Sequence, residues 1–194
     1  MKVLLINGSR REKGCTYTAL NIIADELHKQ GIDTELFFVG ERVLNGGMEQ
    51  AIREATALCE TADGFVLGSP VYYASPSGEV VAFMDRLMGT AWKAMMRKPA
   101  ATIASARRAG TTATLDVLNK YFLYNQMPLV ASDYWNMVHG SAPEQVMKDE
   151  EGVQIMRNIG KNMAWLLKCI EAGKQAGIES PEQEKKVWTN FIRE

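Results

Sequence analysis

The segment from Gly8 to Thr16 brings together residue types that bind phosphate. It joins an apolar run of strand length to an amphipathic helix. The start of a helix offers unpaired backbone N–H groups and the positive end of the helix dipole, and a flanking glycine lets a ligand approach the backbone. Ser9 and Thr16 add hydroxyl donors, and Arg10 and Arg11 add guanidinium groups that pair with phosphate oxygens. The segment therefore predicts an anion site, although an ordinary turn with surface arginines has the same pattern.

The spacing within this segment limits the kind of phosphate that it can bind. Five residues separate Gly8 from Gly14, whereas the nucleotide P-loop has about four between its glycines and a lysine before its Ser or Thr. Cys15 stands where that lysine would be. No register of residues 8–14 supplies the Gly-x-Gly-x-x-Gly pattern of dinucleotide sites. The pattern that remains is that of a terminal monophosphate, such as the phosphate of FMN.

The composition is that of a soluble globular protein with one domain. The chain has 194 residues, 46% hydrophobic residues and a net charge of -1. Nucleic-acid binders normally carry a basic face, so the charge argues against that class. No apolar stretch is long enough for a membrane helix, and the first strand begins too close to Met1 to leave room for a signal peptide. We therefore expect a cytoplasmic protein that binds neither membrane nor nucleic acid.

The cysteines and histidines predict no metal centre. Cys15, Cys59 and Cys169 are far apart in the sequence, as are His28 and His139. This spacing favours neither a disulfide framework nor a metal site. Cys15 alone lies at a predicted helix N-terminus beside arginines, where a thiol can become reactive.

Strand-like and helix-like segments alternate five times along the chain. The predicted strands are residues 2–7, 33–39, 65–69, 99–106 and 127–131. The predicted helices are residues 16–30, 48–58, a segment after Gly78, residues 111–125 and a segment around residues 155–170. Because crossovers between parallel strands are right-handed, this alternation predicts a doubly wound α/β fold with helices on both faces of a parallel sheet.

The tail from residue 176 to residue 194 is predicted to be a C-terminal helical extension of a domain formed by residues 1–175. Its helix would begin near Ser180 and carry apolar side chains on one side, namely Val187, Trp188, Phe191 and Ile192. These side chains need a surface to cover. That surface belongs either to the same domain or to a second subunit.

Ligands of open α/β sheets bind beyond the carboxyl ends of the strands. Three loops leave the sheet there, namely Gly8 to Cys15, Pro70 to Gly78, and Ala106 to Gly110. The second loop contains the tyrosines at positions 72 and 73 between two prolines, which suits a rigid wall for a flat ring. The third contains Arg107 and Arg108. The alternative is that the tyrosines serve packing and the arginines are solvated.

These motifs together resemble the NADPH-dependent FMN reductase family of the flavodoxin-like superfamily, and within it the group related to iron–sulfur flavoproteins. The resemblance covers about residues 1–170. The segments that carry it are Gly8-Ser-Arg-Arg11 with Cys15-Thr16, the run from Gly68 to Gly78, Phe83-Met-Asp-Arg-Leu87, Ser105 to Gly110, Asn125 to Pro128 and Tyr134-Trp-Asn136. The Gly-Ser-Pro-Val-Tyr-Tyr run and the Asp-Arg-Leu that follows it are the most specific of these.

The resemblance implies a flavodoxin-like sheet of five strands in the order 2-1-3-4-5 and a bound FMN. The predicted cofactor-binding residues are Ser9, Arg10, Arg11, Cys15, Thr16, Pro70, Val71, Tyr72, Tyr73, Ala106, Arg107, Arg108 and Gly110. Of these, Ser9, Arg11, Cys15 and Thr16 are expected around the phosphate and the others mostly around the isoalloxazine ring. Tyr134 and Trp135 would either cover the ring or pack within the subunit.

This chain departs from the family pattern in two places. The family commonly has Pro at position 10 and Asn at position 15, where this chain has Arg10 and Cys15. The iron–sulfur members also carry a cysteine cluster between strand two and helix two. The segment from Gly40 to Met48 contains no cysteine, so we expect no iron–sulfur cluster.

The function implied is that of an FMN-dependent oxidoreductase in which the flavin itself is the only catalytic group. NADPH or NADH gives a hydride, and a small acceptor such as a quinone, azo or nitro compound or free flavin receives the electrons. Members of this group are usually homodimers or homotetramers. The alternatives are a flavodoxin-like electron carrier between proteins and, less favoured, a module that has lost its flavin.

Overall fold

A sheet of five parallel strands forms the centre of the computed structural model, which describes residues 1–189 and 191 of the chain. The strands are β1 (Lys2–Asn7), β2 (Asp33–Phe38), β3 (Gly64–Tyr72), the two-residue β4 (Ser75–Pro76), β5 (Ala100–Ala106) and β6 (Met137–His139). Their order is β2-β1-β3-β5-β6, and β4 pairs antiparallel with the end of β3. The predicted doubly wound sheet is confirmed, because its 2-1-3-4-5 order is the observed order once the short hairpin strand β4 is set aside.

Helices cover both faces of this sheet. They are α1 (Cys15–Lys29), α2 (Met48–Thr61), α3 (Gly78–Thr90), α4 (Trp92–Met95), α5 (Thr111–Tyr124), α6 (Pro143–Val146) and α7 (Glu150–Gln175). Side chains alternate along the buried strand β1, so Leu4 and Ile6 join the core beneath α2, α3 and α5, whereas Val3 and Leu5 join the core beneath α1 and α7. Both faces of the strand are therefore apolar, as expected for a covered parallel sheet. No helix within the described residues is long and apolar enough to cross a membrane.

The last strand lies ten residues later in the chain than predicted. Within the predicted strand at residues 127–131, Leu129 makes a single parallel bridge to Ala100, and regular pairing with β5 resumes only at Met137. The side chain of Asn136 explains the interruption, since it accepts a hydrogen bond from Ser132 N at 3.2 Å and donates one to Val130 O at 3.3 Å. Such local side-chain bonds compete with the ladder bonds of a strand. The loop that leaves the last strand therefore begins after His139 and not after residue 131.

The tail differs from the prediction as well. The residues 181–189 contain no helix, so the predicted C-terminal helix is not formed over this range, and Ile192 lies outside the described residues. Arg97 donates hydrogen bonds to the carbonyl oxygen of Pro181 and, at 3.2 Å, to Gln183 Oε1. A short polar segment gains little from helix formation when no surface covers its apolar side. The domain boundary after residue 175 and the homodimer or homotetramer stay predictions.

Candidate functional site

A cleft of about 430 Å³ opens at the carboxyl edge of the sheet. Four segments line it, namely the connections that follow β1 and β6 and the carboxyl ends of β3 and β5, the latter with Arg107. The lining residues are Ser9, Arg11, Lys13, Gly14, Cys15, Thr16, Pro70, Val71, Tyr72, Ser105, Ala106, Arg107, Gly140, Ser141 and Pro143. The three loops that the sequence placed at this edge therefore meet in one cleft, together with a fourth.

The side chain of Asn7 shapes the loop that follows β1. Asn7 is fully buried, and its Nδ2 donates to the carbonyl oxygen of Glu12 at 2.8 Å while its Oδ1 accepts from Ser9 N at 3.1 Å. The hydroxyl of Ser9 in turn accepts from Arg11 N at 3.1 Å. These bonds fix both ends of the loop without using a ligand. The loop is therefore preorganised for binding.

Helix α1 presents its positive end to the cleft. Its N-cap residue, Gly14, has no side chain that caps the helix, and the first turn of α1 contains no acidic residue. Capping side chains and acidic residues are the usual partners of the free N–H groups at this end. Since neither is present, the helix start is suited to bind an anion, as predicted from the sequence.

Two glycines allow helices to approach the sheet edge closely, Gly8 for the start of α3 and Gly68 for the start of α1. A Cβ at Gly8 would lie 2.5 Å from Val80 Cγ2, and a Cβ at Gly68 would lie 2.7 Å from Thr16 Cγ2. Both distances are too short for real side chains. The Gly8 N–H also donates to Gly68 O at 2.8 Å, so β1 and β3 keep their pairing up to the cleft.

A tight hairpin between β3 and β4 carries the second wall of the cleft. Its tip residues Tyr73 and Ala74 have positive φ angles of 50° and 57°. This tip turns Tyr72 into the cleft lining and leaves the side chain of Tyr73 fully exposed. Gly110, at φ 90°, packs against the tip, where an added Cβ would lie 2.8 Å from Ala74 Cα. The loop after β5 is thereby held beside the hairpin.

The fourth connection, after β6, is fixed by Asp149 at the start of α7. Asp149 Oδ1 accepts from Gly152 N at 3.0 Å as an N-cap, and its Oδ2 accepts from His139 N at 2.7 Å. The next residue, Gly140, accepts a hydrogen bond from the thiol of Cys15 at 3.5 Å. The loop after the last strand therefore closes against the start of α1.

Burial raises the pKa of the Cys15 thiol, and the neighbouring Arg11 lowers it by less. The thiol therefore stays protonated at neutral pH, which agrees with its role as a donor to Gly140. This environment is unlike that of a reactive cysteine, whose pKa is lowered.

Positive side chains predominate around the cleft. Arg11, Lys13 and Arg107 line it, whereas no carboxylate of the described residues does. Arg10 is in a different situation, because its Nε lies 2.5 Å from Oε1 of the buried Glu79. This hydrogen bond raises the pKa of Arg10. The cleft itself thus keeps unpaired positive charge for an anionic ligand.

Nine of the predicted cofactor-binding residues line the cleft, and four do not. Those in the lining are Ser9, Arg11, Cys15, Thr16, Pro70, Val71, Tyr72, Ala106 and Arg107. Those outside it are Arg10, Tyr73, Arg108 and Gly110. Their contacts with a cofactor stay predictions. Tyr134 and Trp135 pack edge to face at 4.7 Å and do not line the cleft either.

The prediction missed Lys13, Gly14, Ser105, Gly140, Ser141 and Pro143 in the lining. Gly140, Ser141 and Pro143 were missed because the last strand was placed ten residues too early. The apolar pair Met137-Val138, followed after His139 by Gly140-Ser141, was the signal that could have revealed this loop. Ser105 was hidden because it is buried as the penultimate residue of β5.

The lining fits a flavin mononucleotide. Hydroxyl groups, a guanidinium and an uncapped helix start are donors for a phosphate, and the wall formed by Pro70, Val71 and Tyr72 is largely apolar, which suits a ring. Among the described residues, no group of His, Cys, Asp or Glu side chains is arranged to hold a metal ion.

The chain is similar in sequence and fold to known flavin-dependent proteins. The sequence model described as NADPH-dependent FMN reductase matches residues 1–142. An iron–sulfur flavoprotein of Methanocaldococcus jannaschii is 29% identical over 196 residues, with 88% of this chain and 100% of that protein covered. An NADPH azoreductase of Bacillus sp. is 27% identical over 195 residues, with 92% and 100% covered. The solved structure of an NADH:FMN oxidoreductase has a TM-score of 0.69 at 19% identity, covers 85% of this chain and 89% of the other, and so shares the fold.

Proposed function

Because this chain belongs to the NADPH-dependent FMN reductase family and is an FMN-dependent oxidoreductase, we propose that it transfers a hydride from NADPH or NADH to a small acceptor. The acceptor is a quinone, an azo or nitro compound, or free flavin. The observation that supports this proposal best is the cleft itself, which combines an uncapped helix start and three cations with an apolar wall. Bound FMN supplies the hydride chemistry, and the protein supplies binding, orientation and electrostatics.

The phosphate of the cofactor would bind at the start of α1. Ser9 and Thr16 offer hydroxyl groups there, and Arg11 offers a guanidinium. At position 15 the family's Asn side chain is replaced by a thiol that already donates to Gly140, so the backbone N–H of Cys15 is left as the donor. The preformed loop binds without first being ordered, which favours affinity.

The ring of the cofactor would lie between the β3–β4 hairpin and the loop after β5. Pro70, Val71 and Tyr72 form one wall, and Ala106 and Arg107 form the other. Arg107 would place a positive charge beside the bound ring, where it would stabilise the reduced flavin. In the part of the chain that the structure describes, no histidine or carboxylate lines the cleft, so we propose no residue as a catalytic acid or base.

An electron carrier of the flavodoxin type is the second candidate. Such carriers dock to protein partners through a strongly charged, usually acidic surface. This chain has a net charge of -1, and cations surround its cleft. These charges favour a small donor that carries phosphates over a protein partner. We also propose that the protein functions without an iron–sulfur cluster and that it is cytoplasmic. Both statements stay predictions.

The absorption spectrum of the purified protein tests the proposal. We expect the two visible peaks of oxidised flavin, which disappear rapidly when NADPH or NADH is added without oxygen. Turnover is then measured with a quinone and an azo dye as acceptors. Flavin that is reduced by dithionite but not by either nucleotide would favour the electron carrier. A protein that remains colourless after addition of FMN would contradict both candidates.

A further inference from the structure

We propose that Arg10, held by the buried carboxylate of Glu79, is a positioning residue for the ring of Tyr72 and thereby for the flavin ring, and not a ligand of the cofactor phosphate. This inference rests on the proposed binding of FMN in the cleft. It concerns a position where this chain departs from the proline that is common in the family.

Glu79 fixes the place of Arg10. The carboxylate of Glu79 lies in the first turn of α3 and is 1% exposed, and its Oε1 accepts a hydrogen bond from Arg10 Nε at 2.5 Å. Its Oε2 is buried and has no hydrogen-bond partner among the described residues. A buried carboxylate needs a cation nearby, and Arg10 is the one that it contacts. The guanidinium is therefore strongly held in this position.

Because Arg10 is paired with Glu79, it adds no net positive charge to the phosphate site. Arg10 and Glu79 together are neutral, and Arg10 does not line the cleft. Arg11 and Lys13, from the same loop, do line it. The loop therefore has cations for a phosphate without Arg10.

The guanidinium of Arg10 instead lies over the ring of Tyr72, with its central carbon 5.7 Å from the ring centroid. Tyr72 lines the cleft whereas Arg10 does not, so Arg10 acts on the cleft through its contact with Tyr72. A cation over an aromatic face is attractive and fixes the orientation of that ring. Glu79 thus holds Arg10, Arg10 holds Tyr72, and Tyr72 presents its surface to the flavin.

Riboflavin distinguishes the two roles, because it has the ring of FMN but lacks the phosphate. The variant to test is Arg10→Ala with Glu79→Gln, which removes the pair without leaving a buried charge and without changing the net charge. Dissociation constants for FMN and riboflavin are measured by fluorescence titration of the apoprotein. The matched control is Arg53→Ala with Glu49→Gln, an exposed pair on α2 that also has no net charge.

We expect the variant to bind FMN and riboflavin more weakly by the same factor, about threefold to fivefold. This factor corresponds to the energy of an exposed cation–aromatic contact. The control pair should change neither affinity. In a Tyr72→Ala background, the same pair of substitutions should have no further effect, because the ring through which Arg10 acts is gone. A merely structural role would not produce this dependence on Tyr72.

Three results would overturn the inference. A loss of FMN affinity with unchanged riboflavin affinity would make Arg10 a phosphate ligand. Unchanged affinity of the variant for both flavins would mean that Arg10 has no role in the site. If the variant lost the same affinity when Tyr72→Ala was already present, Arg10 would act by another route. A wild-type protein that binds neither flavin would instead contradict the proposed function, and with it this inference.

Discussion

Thr16 Oγ1 and Ser105 Oγ lie 2.8 Å apart in the buried floor of the cleft. This hydrogen bond joins the first turn of α1 to the end of β5. It therefore couples the predicted phosphate site to the loop that is expected to contact the ring. Either hydroxyl can donate, so the bond leaves Thr16 able to turn its proton towards a ligand or towards Ser105.

Ser105→Ala should weaken FMN binding a few-fold and lower the free energy of unfolding by about 1 kcal/mol, because Thr16 loses a buried partner. Titration with FMN and urea unfolding of the apoprotein measure the two effects. Thr56→Val removes a hydroxyl from the exposed Thr56–Thr90 contact of 3.4 Å and serves as the control. An unchanged affinity in Ser105→Ala would show that the two parts of the site are independent.

Gly68→Ala should weaken FMN binding by about tenfold or more, since the new Cβ would lie 2.7 Å from Thr16 Cγ2 and 3.1 Å from Ile103 Cγ1. Thr16 and the helix start must move away from the sheet to accommodate it, and overpacking of this kind costs about 1–3 kcal/mol. Gly89→Ala is the matched substitution, because among the described residues no atom outside its own stretch of helix lies within 4 Å of the added Cβ.

Gly89 is the last but one residue of α3, so Gly89→Ala should raise the free energy of unfolding by about 0.5 kcal/mol and leave FMN affinity unchanged. Thermal unfolding and flavin titration of both variants check the pair. Equal FMN affinity in Gly68→Ala and the wild type would mean that the close packing at Gly68 does not position the helix start.

The doubly wound sheet and the three loops at its edge were predictable because they follow from local patterns, whereas the order of the strands came from the resemblance to the flavodoxin-like superfamily. Apolar runs of strand length alternate with helical periodicity, and handedness then restricts the topology. The last strand was misplaced because residues 127–131 have the same apolar pattern as a real strand. What displaces the pairing is the side chain of Asn136 and its bonds to Ser132 and Val130, which the apolar pattern does not reveal.

The role of Arg10 was equally hidden. Sequence spacing places it beside Arg11 in a phosphate loop, and nothing local distinguishes the two. The difference arises from Glu79, which is 69 positions away in the chain and reaches Arg10 only because β1 and β3 are neighbours in the sheet. Contacts between distant residues of this kind decide which predicted ligands are available to a cofactor.

Cys15 should react slowly with iodoacetamide at pH 7 and faster as the pH rises above the ordinary range of thiols, because burial raises its pKa and only the thiolate reacts. The experiment uses a Cys169→Ser variant, since Cys169 is exposed. Burial raises the pKa of Cys59 to about 12, so this buried thiol should not compete. Mass spectrometry identifies the labelled residue.

Added FMN should protect Cys15 from alkylation, because Cys15 lines the cleft at the expected phosphate position. Inorganic phosphate at millimolar concentration should protect partially. Rapid labelling of Cys15 at pH 7 would contradict the effect of burial. Labelling that is unaffected by FMN would place the cofactor away from the start of α1.

Arg107 and Arg108 are adjacent and both exposed, yet only Arg107 lines the cleft. Arg107→Ala should therefore lower kcat/KM for the nicotinamide donor by about tenfold, because a positive charge that stabilises the reduced state is lost. A tenfold change corresponds to about 1.4 kcal/mol. If the reduced flavin loses this much stabilisation, its two-electron midpoint potential becomes about 30 mV more negative.

Arg108→Ala removes the same charge one residue further along and serves as the matched control, with little change in kcat/KM or potential. Stopped-flow reduction by NADPH and a spectroscopic redox titration measure both variants. High salt should reduce the difference between them, since exposed charges are screened. Equal effects of the two substitutions would show that the net charge of the loop matters and that the position of Arg107 in the cleft does not. If neither substitution changed flavin affinity, potential or turnover, the stabilising role assigned to this loop would be wrong.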